Sequence, residues 1–243
     1  MNLLRMGKYK LRVPAVCGSV TGKTIKEMKL GIGRAVRGGA DIVELRMDGL
    51  RDWSKWKQLL SEDIPIILTN RPKREGGGFK GEEDARLEIL RDGIEEGVTC
   101  IDLEFSTPRS LRDPLVADAK ALGVTVLVSH HNFSTTPHPD LLMKTAERIL
   151  DSGCDIAKLV SFARSPNHAM RMLDFLVRSR KMISVPIIAF AMGEAGRITR
   201  LISPIFGSPW IYAGVDKKTA PGQLDLVTAK EWVRELKAME VRN

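Results

Sequence analysis

The chain has 243 residues, of which 43% are hydrophobic and 28% charged, and its formal net charge is +8. That balance excludes an intrinsically disordered chain, and three cysteines in this length exclude a disulfide-stapled miniprotein. No apolar run reaches the ~18–20 residues that cross a bilayer, and the N-terminus lacks an apolar h-region and a cleavage site, which predicts a soluble cytoplasmic protein with no membrane partner.

In chain order, the first strand candidate is RVPAVCG (12–18), followed by a helical pattern, TIKEMKLGIGRAVRGG. Next come the strands DIVELRM (41–47) and PIILTNR (65–71), the second running into a glycine-rich loop, RPKREGGGFKGEE. The helix EEDARLEILRDGIEEG then leads to the strand CIDLEFS (100–106), and LRDPLVADAKALG to VTVLVSH (124–130). LLMKTAERILDSG precedes DIAKLVS (155–161), and NHAMRMLDFLVRSRK precedes PIIAFAM (186–192). PWIYAG (209–214) is the last strand, and GQLDLVTAKEWVRELKAM closes the chain as a helix. The strand candidates are short and mostly rich in Val and Ile, whereas the helical patterns are longer and amphipathic. Several helices stop at Gly38–Gly39, Gly97, Gly123 and Gly153, where glycine suits a left-handed cap. Eight strands that mostly alternate with helices predict an α/β fold with a parallel sheet, and about 240 residues fit one (β/α)8 TIM barrel spanning 1–243 as a single domain. An open doubly wound sheet is the alternative. No GxGxxG follows the first strand, and GIGRAVRGG lies within a helical pattern, which weakens a dinucleotide fold.

Catalytic groups of a barrel collect at the C-terminal ends of its strands, and polar residues do fall there. Ser19 follows the first strand, and Glu44 and Arg46 share one face of the second. Such a pair can hold hydroxyls or an acid group, or form an interior ion pair. Arg71 ends the third strand on the face of Ile67 and Thr69, and Glu75 follows in a loop whose three successive glycines suit folding over a ligand. Lys158 lies within an otherwise apolar strand, on the face of Ile156 and Val160. An ammonium among apolar groups loses hydration, and the neutral amine that results attacks a ketone to form a Schiff base. His130 and His131 end the fifth strand, where an unperturbed imidazole suits proton transfer near neutral pH. Period 2 sends their rings to opposite sides without choosing between them. Arg200, or Arg197 one turn earlier, offers a guanidinium fork for a carboxylate, and Thr219 and Gln223 offer hydrogen bonds to a hydroxylated ligand. Cys17, Cys100 and Cys154 read as reduced buried thiols, and His138 and His168 as surface residues. No His or Cys spacing suggests a metal site.

The motifs ELRMD, LTNRPKREGGG, DLEF, VSHHNF, IAKLV, MGEAGRITRL, FGSP and APGQ, in this order, resemble the type I 3-dehydroquinate dehydratases from about Val13 to Gln223. The resemblance implies a (β/α)8 barrel that dehydrates 3-dehydroquinate to 3-dehydroshikimate, the third step of the shikimate pathway toward chorismate and aromatic amino acids. It implies no cofactor, a small-molecule substrate and, in many members, a homodimer. It assigns the Schiff base to Lys158, acid/base work to His131, its carboxylate partner to Glu75 and the substrate carboxylate to Arg200 rather than Arg197. Ser19, Glu44, Arg46, Arg71 and Gln223 match family substrate-binding positions, and Thr219 stands where many relatives carry Ser. Phe190 and Tyr212 depart from the Met and Phe of relatives, which bears on packing around the substrate ring. Asp102 and Glu104 of DLEF are left as either ligand contacts or supports for Arg46 and Lys158. Two other readings compete. One is a Schiff-base aldolase; the other is a basic barrel that binds nucleic acid or another polyanion. Scattered Lys and Arg, with aromatics at 5%, disfavour the second, and no nucleic-acid partner is expected.

Overall fold

The computed structural model describes residues 2–216 and 222–240. It opens with an antiparallel hairpin, β1 (Asn2–Met6) and β2 (Tyr9–Val13). There follow β3 (Ala15–Thr21), α1 (Ile25–Arg37), β4 (Ile42–Arg46), β5 (Ile66–Thr69), α2 (Glu83–Glu95), β6 (Cys100–Glu104) and α3 (Arg109–Ala121). The second half comprises β7 (Thr125–His131), α4 (Pro139–Leu150), β8 (Ile156–Phe162), α5 (Pro166–Met182), β9 (Ile187–Met192), α6 (Arg197–Ile202), β10 (Trp210–Gly214), β11 (Leu224–Asp225) and α7 (Leu226–Glu240). One parallel ladder runs β11-β10-β3-β4-β5-β6-β7-β8-β9, so β3 to β10 form the eight-stranded wall of a TIM-barrel-like α/β fold.

Strand periodicity places two cores on the two faces of this wall. Outward residues such as Val43, Leu45, Leu68, Ile101, Val126, Val128 and Leu159 pack under the helices with Met28, Leu90, Leu115, Ile149 and Phe175. Inward residues change character along each strand. Near the N-terminal ends they are apolar: Cys17, Ile42, Ile67, Cys100, Leu127, Ile156, Ile188 and Trp210 all belong to one interior cluster. One pleat further on they include Ser19, Glu44, Thr69, Asp102, Ser129 and Lys158, all buried. This step in polarity puts the chemistry at the C-terminal end of the barrel.

Three elements differ from the sequence reading. The expected first strand (12–18) divides at Pro14, which has no N–H for a ladder. Val13 ends β2, and the barrel strand starts at Ala15 and runs to Thr21. The hairpin, which hydrophobic alternation did not announce, closes the bottom of the barrel: Met6 and Leu11 join the interior cluster. Between β4 and β5, where the sequence reading placed no helix, run the 3-10 turns Met47–Gly49 and Trp56–Leu59, with Trp56 and Leu59 buried in the outer core and Trp56 Nε1 donating to Asp92 Oδ2 at 2.6 Å. The last helix starts at Leu226 rather than Gly222, because Asp225 caps it, accepting from Thr228 N at 2.9 Å and Thr228 Oγ1 at 2.8 Å. Among the described residues no ladder joins β9 to β10; across that seam the inward rings of Phe190 and Tyr212 lie 6.3 Å apart. No helix of the described residues is long and apolar enough to cross a membrane.

Candidate active site

β8 carries Lys158 inward between Ile156 and Val160. Its Nζ lies 3.0 Å from Asp102 Oδ2 on β6 and 3.9 Å from Glu44 Oε1 on β4. The ring of Tyr212 on β10 lies against the ammonium, 4.1 Å from Nζ to the centroid, a cation–π contact. The sequence placed this lysine among apolar groups. The structure corrects that: its neighbours along the strand are apolar, but the neighbouring strands offer it two carboxylates. Burial alone would raise the Asp102 carboxyl. The charges of Arg71 and Lys158 and the hydrogen bonds from Arg71 and Ser129 outweigh it and hold Asp102 far below the usual carboxylate range.

Arg71, just beyond β5, organises the floor beside this lysine. Its guanidinium pairs with Asp102 through one nitrogen, and through the other with Glu104 Oε1 at 2.7 Å and Ser129 Oγ at 2.6 Å. Glu104 also pairs with Arg86 of α2, a fully buried arginine. Neither Asp102 nor Glu104 lines the cavity above. They support Lys158 and Arg71, not Arg46. Arg46 pairs with Asp48, Nε to Oδ1 at 2.8 Å, so of the two readings of Glu44 and Arg46 the direct interior ion pair gives way to a contact two residues further on. Glu44 accepts from Ser19 Oγ and, at 3.2 Å, from Thr69 Oγ1.

The two histidines of β7 separate by parity. His131 turns into the barrel mouth, whereas His130 meets Phe105 edge-on at 6.3 Å. His131 Nδ1 lies 2.9 Å from Glu75 Oε2. Burial would raise Glu75, but the hydrogen bond with His131, the charge of Arg71 and a hydroxyl from Ser106 hold it below its ordinary value. An ionised Glu75 can only accept, so Nδ1 carries the proton and Nε2 keeps a lone pair. Burial, reinforced by the charge of Arg71, brings His131 down from 6.5 to about 4, against the pull of Glu75. The sequence reading took the ring at its unperturbed value; in its buried seat the imidazole is neutral at pH 7.

Lys158, Tyr212, Glu44, Arg71, Glu75 and His131 line one open cavity of about 590 Å3 together with Arg46, Phe133, Phe190, Met192, Arg200 and Gln223. Arg200, on α6, is buried over the face of Phe190, 4.3 Å from its centroid, and burial lowers it to about 10. A group lowered only that far keeps its charge at pH 7. Arg197 is exposed and does not line the cavity. The glycine loop is packed rather than loose. Gly78 N donates to Asp48 Oδ2 at 2.8 Å, Phe79 N donates to Arg71 O at 3.2 Å, and a side chain on Gly77 would meet the Arg71 carbonyl oxygen at 2.0 Å. An amine, a neutral imidazole and a guanidinium thus face one cavity, a set suited to imine chemistry on a keto acid.

The model of the type I 3-dehydroquinase family matches residues 16–240. The chain belongs to the type I 3-dehydroquinase family. It is 34% identical over 241 residues to the 3-dehydroquinate dehydratase of Methanosarcina barkeri, covering 94% of this chain and 98% of that one. It is 37% identical over 217 residues to that of Methanopyrus kandleri, covering 86% and 94%. A crystal structure of the type I 3-dehydroquinate dehydratase of Clostridium difficile, with covalently modified comenic acid, matches it with a TM-score of 0.90 at 24% identity, over 98% of this chain and 99% of that one. That last likeness concerns the fold.

Of the residues singled out in this 3-dehydroquinase, the cavity collects Lys158, His131, Glu75, Glu44, Arg46, Arg71, Arg200 and Gln223. Ser19 is buried beneath, bonded to Glu44. Thr219 lies outside the described residues. His138 is exposed and His168 half-buried, both away from the cavity. Sequence reasoning missed Asp48, Arg86, Ser106 and Ser129. Asp48 stood within ELRMD, and Arg86 stands at a buried position of α2 beside Leu87 and Leu90, where a charge among core positions was the available signal.

Proposed function

We propose that the chain, acting as one catalytic domain, dehydrates 3-dehydroquinate to 3-dehydroshikimate, a carbon–oxygen lyase reaction of the shikimate pathway, through an imine on Lys158. The single observation that carries this reading is Lys158 Nζ on Asp102, 3.0 Å away, within the cavity that also holds the neutral His131 and Arg200. Arg200 takes the substrate carboxylate as a fork and fixes the ring, with Arg46 and Gln223 beside it. Lys158 gives up one proton to become the free amine, Nζ adds to the ketone carbon, and a proton returned to the carbinolamine hydroxyl lets it leave as water to give an iminium. Asp102 complements the positive nitrogen before and after that step. The iminium withdraws electrons from the adjacent carbon, and His131 Nε2 takes its proton to leave an enamine. The enamine electrons then expel the hydroxyl one carbon further on, which leaves as water with the proton from His131. Hydrolysis of the conjugated iminium consumes one water and releases the enone and Lys158, so one water is lost per turnover. Glu75 keeps the imidazole oriented and complements its charged form. Three buried thiols, Cys17, Cys100 and Cys154, none in a disulfide, support action in the cytoplasm.

The test is borohydride trapping with 3-dehydroquinate, followed by peptide mapping. A reduced adduct on Lys158, absent from Lys158→Ala, together with enone absorbance from the wild type, is expected. Turnover by Lys158→Ala at the wild-type rate, or an adduct on another lysine, overturns the assignment.

A further inference from the structure

Glu75 presents two carboxylate oxygens, and among the described residues each has one donor. Oε2 takes His131 Nδ1 at 2.9 Å, and Oε1 takes the hydroxyl of Ser106, an exposed residue in the turn after β6 that does not line the cavity. Ser106 Oγ also faces Arg74 Nε at 3.3 Å. A guanidinium only donates, so Arg74 occupies a lone pair of the hydroxyl, and the single proton of Ser106 is left for Glu75. Arg74 is gripped by Glu83 through two bonds of 3.1 and 2.9 Å, and Glu83 grips the fully buried Arg86 through two more of 3.0 and 2.8 Å. A continuous polar chain therefore joins the start of α2 to the imidazole.

We propose that Ser106 is a positioning residue for the acid/base pair: its hydroxyl, aimed by Arg74, fixes the rotation of the Glu75 carboxylate and thereby keeps the His131 proton on Nδ1 and the Nε2 lone pair free. The physical reason is the softness of the last torsion of a glutamate, which is broad and two-fold. One donor on one oxygen leaves the carboxylate able to swing. Two donors on opposite oxygens determine its plane, and the plane determines whether Nδ1–H has a partner. The outer hydrogen bond thus sets the tautomer of the inner ring, as outer partners do for histidines elsewhere. The inference rests on the dehydration reading for its rate effect, but its structural effect needs no substrate.

The experiment compares wild type, Ser106→Ala and Ser106→Thr, labelled with 15N-histidine. The His131 tautomer is read from ring nitrogen shifts in the free enzyme at neutral pH, and imine trapping and turnover are measured alongside. Ser106→Ala is expected to mix the two tautomers and to lower kcat about ten-fold, a part of what a positioned general base contributes. Trapping on Lys158 is expected to persist, because imine capture does not draw on this hydroxyl. Ser106→Thr, which keeps the hydroxyl and sends its methyl to solvent, is expected to restore a single tautomer and the rate. A single Nδ1–H tautomer in Ser106→Ala overturns the proposal, as does a Ser106→Thr variant that behaves like Ser106→Ala. A mixed tautomer with turnover at the wild-type rate upholds the positioning and overturns His131 as the base instead.

Discussion

His131 shows what burial does to a single residue. An imidazole at its ordinary value would be partly protonated just below neutrality, and a protonated ring cannot take a proton from the iminium. Here burial and Arg71 lower it to about 4, so the imidazole is free to accept a proton at pH 7, as the proposed base must be. The sign follows from proton counting. The unfolded chain, titrating near 6.5, binds a proton that the folded ring refuses, so between about 6.5 and 4 the unfolded state holds more protons. The stability held in the neutral ring is complete above 6.5 and is lost as pH falls toward 4. The acid limb of kcat/KM for the free enzyme is therefore expected near pH 4 rather than 6.5, measured as a pH–rate profile with a urea midpoint at each pH. His131→Ala is expected to remove that limb and most of the elimination rate while still giving the borohydride adduct. A limb at 6.5 in the wild type would mean the ring is solvated. Its pairing with Glu75 was not legible from parity, which only separated His130 from His131; the family resemblance chose between them, and the geometry puts that choice in the cavity.

At the scale of elements, the loop after β5 carries the most specific prediction. Three glycines in a row read as freedom in the sequence, yet the structure uses Gly77 for close approach to the Arg71 backbone and Gly78 for a bond to Asp48. This folds the loop back so that Glu75 meets His131. Gly77→Ala forces a Cβ into the Arg71 carbonyl, which cannot yield because Arg71 is held by Asp102 and Glu104. The loop must move instead. A misplacement of about 1 Å is expected to cost roughly 10²-fold in kcat/KM, with faster hydrogen exchange over 72–81 and little change in the barrel strands. Wild-type kcat/KM with unchanged protection would show that the loop does not seat Glu75. Helix ends were more legible than this loop. Gly39, Gly97, Gly123 and Gly153 take φ between +71 and +77 where helices stop, because a cap is a local rule. The loop is set by Asp48, from another strand end, and by Arg71, which Asp102 and Glu104 hold from β6, and no local pattern announces such partners.

Across the whole molecule, the barrel separates stability from chemistry along its axis. Alternating β-branched runs and amphipathic helices made the fold legible, since each unit repeats the same two periods. The direction of the polarity step also followed, because His131 and Arg71 fall at the C-terminal ends of their strand runs. The N-terminal hairpin was hidden: its five-residue strands, β1 and β2, carry Arg5, Lys10 and Arg12, with Lys8 in the turn between them, and these read as surface. Only the tertiary arrangement shows that Met6 and Leu11 turn the other way, into the apolar floor with Cys17, Ile42 and Ile156. Met6 is fully buried there, so Met6→Ala leaves a cavity beneath the barrel and is expected to cost about 2–5 kcal/mol. Met6 lines no part of the catalytic cavity, and the inward layer that includes Cys17 and Ile156 stands between them along each strand. A rigid wall of parallel ladders should confine that loss to the floor. Urea denaturation is therefore expected to show the lower midpoint with an unchanged m-value, while kcat/KM and borohydride trapping on Lys158 stay at wild-type levels under native conditions. Loss of trapping in a folded Met6→Ala protein would instead mean that the hairpin sets the height of the strands on which Lys158 and Asp102 meet.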